Sequence, residues 1–209
     1  MSETLLEVRD LCCERDHRVL FAGLNFGLDS GQLMQVAGAN GAGKTTLLRF
    51  LCGLSSAYEG EIRWRGRRLR EAMAGYRSEF LYLGHAPGVN LPLTPLENLR
   101  WYFGINERLT EAGLWQALAD VGLGGYEEVS AYRLSAGQQR RIALARLRLS
   151  TAPLWILDEP FTAIDLAGVA ELEAILVAYA RAGGAVVLTT HHTLNIDMPF
   201  SRLELGALS

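Results

Sequence analysis

The chain has 209 residues, 49% apolar and 21% charged, a composition that excludes disorder and fits one domain with a sizeable core. Its 20 basic and 23 acidic residues leave a net charge of −3, so a broad basic face for nucleic acid is not expected. The longest run free of Asp, Glu, Lys and Arg, Phe80 to Leu96, contains three prolines and two glycines and cannot be a spanning helix. Met1 to Leu11 carries Glu3, Glu7, Arg9 and Asp10 and lacks a signal-peptide core. Cys12, Cys13 and Cys52 show no metal-ligand spacing, which suits a reducing, cytoplasmic, unbridged chain.

In chain order, the first expected strand is Leu5–Leu11, followed by a short buried strand at Leu33–Ala37. Apolar residues at Leu47, Leu48, Leu51 and Leu54 then predict a helix over Lys44–Leu54. Strands follow at Glu61–Trp64 and Phe80–Leu83, and the arginines 63, 65, 67, 68 and 70 around Gly66 read as a solvated hairpin, with a partner or anionic-lipid contact as the alternative. Helices are expected from Thr94, Thr110, Ser135 and Asp165. At the first of these Thr94-Pro95-Leu96-Glu97 spells a capping box with proline at the first helical position. The last strands fall at Leu154–Leu157 and Ala185–Thr190. Alternating strands and helices predict an α/β domain over 1–209 with a mostly parallel sheet. The all-helical stretch, about 86–150, reads as an insertion within it.

Three segments carry chemistry. The first is Gly38-Ala39-Asn40-Gly41-Ala42-Gly43-Lys44-Thr45, which fits the phosphate-loop pattern at every fixed position and sits between a strand and a helix. Its backbone N–H groups and the helix N-terminus would face a polyphosphate. Of the 20 basic residues 19 are Arg, and the sole lysine is Lys44. A compact ammonium fits inside a loop wrapped on phosphates, where a planar guanidinium does not.

The second segment, Leu154-Trp155-Ile156-Leu157-Asp158-Glu159, is an apolar strand delivering two carboxylates to the ligand-binding edge of a sheet. Asp158 can hold Mg²⁺ opposite the Thr45 hydroxyl, and Glu159 can orient or deprotonate a water. In the third, Leu134-Ser135-Ala136-Gly137-Gln138 opens a helix with Ser135 as its cap.

Together with Thr162-Ala163-Ile164-Asp165 and Thr189-Thr190-His191, these motifs resemble, in order and over about Leu5 to Leu205, those of ATP-binding-cassette (ABC) ATPases. The resemblance implies a P-loop NTPase fold with an N-terminal antiparallel β region and a helical insertion. It implies a homodimer with ATP between two cassettes, and with Mg²⁺. Residues Gly38, Ala39, Asn40, Gly41, Ala42, Gly43, Lys44, Thr45 and Thr46 would bind nucleotide in one chain. Ser135, Ala136, Gly137 and Gln138 of the other chain would cover it. Lys44 would reach the β- and γ-phosphates, Thr45 and Asp158 would hold the metal, Glu159 would be the general base, and His191 would contact the γ-phosphate. His192 has no counterpart in the family pattern and is expected to be a surface or packing residue.

Three departures narrow the reading. Ala136 replaces a usual glycine, which is tolerable at negative φ. His85 stands where a metal-sensing glutamine is usual, and can ligate or hydrogen-bond in its place. Arg15 stands near the position of an adenine-stacking aromatic and can stack by its guanidinium plane.

With Gly84-His85, Pro87-Gly88 and Trp155 to Asp165, the chain is similar to the ATPase subunits of bacterial cytochrome c maturation systems. That similarity implies an integral membrane ABC partner subunit, haem-handling membrane proteins and a periplasmic haem chaperone, with the ATPase at the cytoplasmic face of the inner membrane. No nucleic acid is expected, and no C-x-x-C-H haem attachment pattern is present. Residues 85–89 and the exposed part of Trp101–Phe103 are expected to line the membrane-partner contact. The alternatives are the ATPase of another ABC exporter or importer, a soluble ABC ATPase acting on nucleic acid or ribosomes, and a P-loop kinase.

Overall fold

In the computed structural model, residues 3–104 and 109–206 are described; the terminal residues of the expected domain 1–209, and residues 105–108 of the expected insertion, lie outside them. The chain divides into two compact units, one of residues 1–82, 152–159 and 173–209, the other of 83–151 and 160–172.

The first unit opens with β1 (Thr4–Arg15) and β2 (Arg18–Asp29), an antiparallel pair joined by a two-residue turn. Both turn residues, Asp16 and His17, have positive φ (52° and 59°), which matches the right-handed strand twist. β1 also pairs antiparallel with β4 (Glu59–Trp64), which turns through Arg65-Gly66 into β5 (Arg67–Arg68). The basic run is thus the expected hairpin. Its charge is partly compensated: Glu61 pairs with Arg63 at 2.7 Å and Arg68 at 2.5 Å, and Arg65 meets Glu3 and Glu79.

The second sheet runs β6-β7-β8-β3-β9. Its strands are β3 (Leu33–Gly38), β6 (Phe80–Leu83), β7 (Leu154–Asp158), β8 (Ala185–Thr189) and β9 (Ser201–Leu205). β7, β8, β3 and β9 pair in parallel. Every residue of β7 and β8 is buried, as for central strands covered on both faces. Helix α1 (Lys44–Leu51) packs Leu47, Leu48, Phe50 and Leu51 into the same core. It stops three residues before the expected Leu54, because Gly53 turns left-handed at φ 65°. Helix α2 (Leu69–Tyr76) buries Tyr76, whose hydroxyl donates to the Leu51 carbonyl at 2.7 Å.

Three elements of this unit went unread in the sequence: β2, α2 and β9. β2 alternates Leu24, Phe26 and Leu28 with Gly23, Asn25 and Gly27, residues of poor strand propensity, and is held by its long pairing with β1. The α2 segment spans two turns, too short for a clear period, and β9 presents a mostly exposed pattern anchored by β3.

The second unit packs α3 (Pro95–Phe103), α4 (Glu111–Asp120) and α5 (Ala136–Leu149) around buried Leu96, Leu99, Leu114, Leu118, Ile142 and Leu147. The Thr94 capping box is present as read, and Thr110 and Ser135 cap α4 and α5. Helix α6 (Leu166–Arg181) begins after Asp165, whose side chain accepts from the Gly168 N–H at 2.9 Å. Among the described residues, no helix is long and apolar enough to cross a membrane.

Candidate active site

The phosphate loop leaves the carboxyl end of β3 and enters α1 at Lys44. Two of its glycines are dictated by space. A Cβ on Gly38 (φ 142°) would lie 2.5 Å from the Leu205 carbonyl, and one on Gly43 (φ 94°) would lie 3.1 Å from the Phe21 ring. The Lys44 ammonium turns back into the loop, donating to the carbonyls of Gly38 at 2.7 Å and Ala39 at 3.2 Å. A point charge can be wrapped in this way and still swing to a phosphate. Ala39, Asn40, Gly41 and Ala42 form the loop between them, and Thr46 follows on α1.

The Thr45 hydroxyl donates to Asp158 Oδ2 at 2.8 Å. Asp158 ends β7, is 2% exposed, and accepts from the Thr189 hydroxyl on Oδ1 at 2.7 Å. That threonine also receives the Glu159 N–H, on Oγ1 at 2.9 Å. Parallel pairing of β7 and β8 sets Thr189 directly beside Asp158. In the sequence Thr189 is legible only as a strand end, since register between strands far apart in the chain is not visible in spacing.

Glu159 adopts φ 50°, a left-handed conformation uncommon for a residue with a Cβ, held by its N–H bonds to Thr189. Its carboxylate accepts the His191 N–H at 3.2 Å, and the His191 ring stands 3.6 Å away, Nε2 to Oε1. Lys44, Thr45, Asp158, Glu159 and His191 thus come together within one unit, although Glu159 and His191 lie 32 residues apart in sequence. A cavity of about 340 Å³ is lined by Gly38, Lys44 and His191.

The electrostatics fit an acidic, polar-edged centre. Burial, with the Asp158 charge adding to it, pushes the Cys52 thiol well up, and the same two causes lift the Tyr82 phenol to about 12. Thr45 and Asp158 supply a hydroxyl and a carboxylate 2.8 Å apart, the hard oxygen donors that suit Mg²⁺. Among the described residues, no cluster of three His, Cys, Asp or Glu forms a ready metal cage.

Arg15 borders a cavity of about 320 Å³ with Thr46, Arg49 and Phe50, and its guanidinium stands 3.6 Å from Asp16. In the second unit, Ser135 and Gln138 cap each other: Ser135 Oγ accepts the Gln138 N–H at 3.2 Å, and Gln138 Oε1 accepts the Ser135 N–H at 2.9 Å. Ala136 begins α5 and is not among the residues with positive φ, so its methyl group is accommodated. A Cβ on Gly137 would lie 3.2 Å from the Ala163 carbonyl. His85 is exposed, and the carbonyls of Gly84 and His85 are held by the buried Arg140 at 3.0 and 3.4 Å. Trp101 is 68% exposed, whereas Tyr102 and Phe103 are half-buried. His192 is more than packing: its Nε2 pairs with Glu173 Oε1 at 3.0 Å.

A match to the ABC transporter family spans residues 21–162. The chain is 54% identical to the "Cytochrome c biogenesis ATP-binding export protein CcmA" of Hahella chejuensis, over 98% of this chain and 97% of that one. It is 52% identical to the protein of the same name from Aliivibrio fischeri (97% and 100%) and 50% identical to that of Escherichia coli K12 (92% and 91%). Among solved structures, an ATP-binding subunit of an ABC transporter aligns with TM-score 0.79 and 29% identity, over 90% of this chain and 80% of that one. An ATP-binding cassette in a dimeric post-hydrolysis state with ADP and Pi aligns with TM-score 0.79 at 20% identity, over 90% and 88%, a likeness of fold.

Proposed function

The chain belongs to the ABC transporter family and, within it, to the cytochrome c biogenesis ATP-binding export proteins, and on that footing we propose that it is the ATP-hydrolysing subunit of a membrane ABC complex in c-type cytochrome biogenesis. It binds ATP and works as a dimer with membrane partners. The observation that carries the chemistry is the continuous chain of contacts Thr45–Asp158–Thr189–Glu159–His191 beside the phosphate loop.

The residue roles follow from that chain. Loop N–H groups and the Lys44 ammonium bind the β- and γ-phosphates. Thr45 and Asp158 would hold Mg²⁺, which when bound offsets the negative charge shared by those phosphates. Glu159 accepts a proton from the attacking water as its oxygen bonds to the γ-phosphorus and the bond to the ADP oxygen breaks. His191, beside Glu159, orients the water and the γ-phosphate. Arg15 stacks on adenine. In the dimer, Ser135 to Gln138 of one chain close over the nucleotide of the other, with the capped N-terminus of α5 toward the γ-phosphate.

The partners are a second copy of this chain, an integral membrane ABC subunit and its haem-handling neighbours, with the ATPase peripheral to the cytoplasmic face of the inner membrane. His85 and the 85–89 loop, together with exposed Trp101, form the membrane-partner contact. Substituting Glu159→Gln tests the chemistry. ATP affinity should remain while hydrolysis slows by about 100-fold, the scale of a lost general base. Near-normal turnover in that variant would remove Glu159 from the role.

A further inference from the structure

The ring of His191 is 64% exposed, so its place depends on the backbone that carries it. That backbone is held by a second carboxylate besides Glu159. Buried Glu173, on the 16-residue helix α6, takes the Asn195 N–H on Oε1 at 2.7 Å and pairs the same oxygen with His192 Nε2 at 3.0 Å. Nearer the strand, the His192 N–H donates to Thr190 Oγ1 at 2.9 Å, and Gln35 reaches the Thr190 carbonyl at 3.4 Å. One carboxylate oxygen thus ties two points of the 190–195 loop to a long helix, on either side of a turn without regular structure.

We propose that Glu173 is a positioning residue for ATP hydrolysis: through His192 and the Asn195 amide it fixes the loop so that the His191 ring stays beside Glu159. The proposal rests on the reading of His191 as the γ-phosphate residue. Without the tie the loop is held by fewer contacts and samples more conformations, nucleotide still binds at the phosphate loop, and fewer bound molecules have His191 in place. The loss therefore falls on kcat and not on KM.

The test is a double-mutant cycle on steady-state hydrolysis, with folding followed by circular dichroism. Glu173→Ala should lower kcat by about tenfold and change KM for ATP by less than about twofold. Glu173→Gln retains an acceptor oxygen at the same reach and should stay within about threefold of the parent. In a His191→Ala background, Glu173→Ala should add no further loss, because the residue through which it acts is gone. If the alanine variant does not fold, Glu173→Met fills the same volume without an acceptor and is read in its place. Wild-type turnover in Glu173→Ala, or losses that multiply in the double variant, would overturn the proposal while leaving His191 in its role. Full turnover in His191→Ala would overturn the reading of His191 itself.

Discussion

Lys44 is the residue where composition and geometry meet. Its ammonium is enclosed by the carbonyls of Gly38 and Ala39, and the space is shaped by a loop that cannot retreat, because Gly38 and Gly43 already lie against Leu205 and Phe21. Lys44→Arg should therefore bind ATP within about tenfold of Lys44→Ala rather than near the parent, since the planar fork has no room. Titration with a fluorescent ATP analogue measures this, and parent-like affinity in the arginine variant would overturn it. Cys52 gives a second residue-scale expectation. Burial and the Asp158 charge raise its thiol above the ordinary 9.0, so the folded state favours the neutral form. Its contribution to stability is fully present below about pH 9 and is lost as pH rises through the raised value. Between about pH 8 and about pH 11, Cys52→Ser should lose urea resistance less steeply than the parent; an identical alkaline slope would exclude the thiol as a cause.

At the scale of elements, local chemistry and long-range pairing contribute unequally. α3, α4 and α5 each begin at a hydroxyl cap readable from sequence, and at α3 the box is complete: Glu97 N–H to Thr94 Oγ1 at 3.2 Å, Thr94 N–H to Glu97 Oε2 at 2.8 Å. Thr94→Ala should cost about 1 kcal/mol in chemical denaturation, with the helical unit as the part affected. An unchanged midpoint would mean that the packing of Leu96 and Leu99 alone holds this helix start. α5 differs in kind, for it carries two buried arginines. Arg140 holds the carbonyls of Gly84 and His85, and Arg146 donates to the Pro87 carbonyl and lies over the Tyr102 ring at 4.5 Å. Desolvation lowers the pKa of Arg146, and carbonyl partners are what make its burial tolerable. The helix whose start bears Ser135 therefore also fixes the 84–88 loop that bears His85.

For the whole molecule, the proposed roles divide between the two units: the phosphate loop, Asp158, Glu159 and His191 in the first, Ser135 to Gln138 and His85 in the second. A site completed in trans by the second unit of a partner chain predicts a mixing result. Lys44→Ala chains should load nucleotide only weakly, and Ser135→Arg chains should load it but block closure over the partner's site. In a heterodimer of the two, both lesions fall on one site and the other is intact. Mixing should restore up to about half of the parent activity per mixed dimer, where each variant alone has little. Crosslinked heterodimers assayed for ATP turnover decide this, and no recovery would place Ser135 outside the shared site.

The phosphate loop, the acidic end of β7, the capped start of α5 and the alternation of strands with helices were determined by the sequence itself, because each rests on residues adjacent in the chain. Glycines that must turn, a hydroxyl that caps and an apolar run that buries act over a few positions, and spacing reveals them. Tertiary structure decided what depends on residues far apart. Thr189 enters the site only through the parallel register that sets it against Asp158, and Glu173 only through the folding of the 190–195 loop onto α6. β2 and β9 likewise depend on the backbone that β1 and β3 offer them, since glycines and asparagine weaken the first and the second is short and mostly exposed. Hydrogen bonding across a sheet is satisfied between segments whose separation in sequence leaves no local trace, so those choices became visible only in the folded chain.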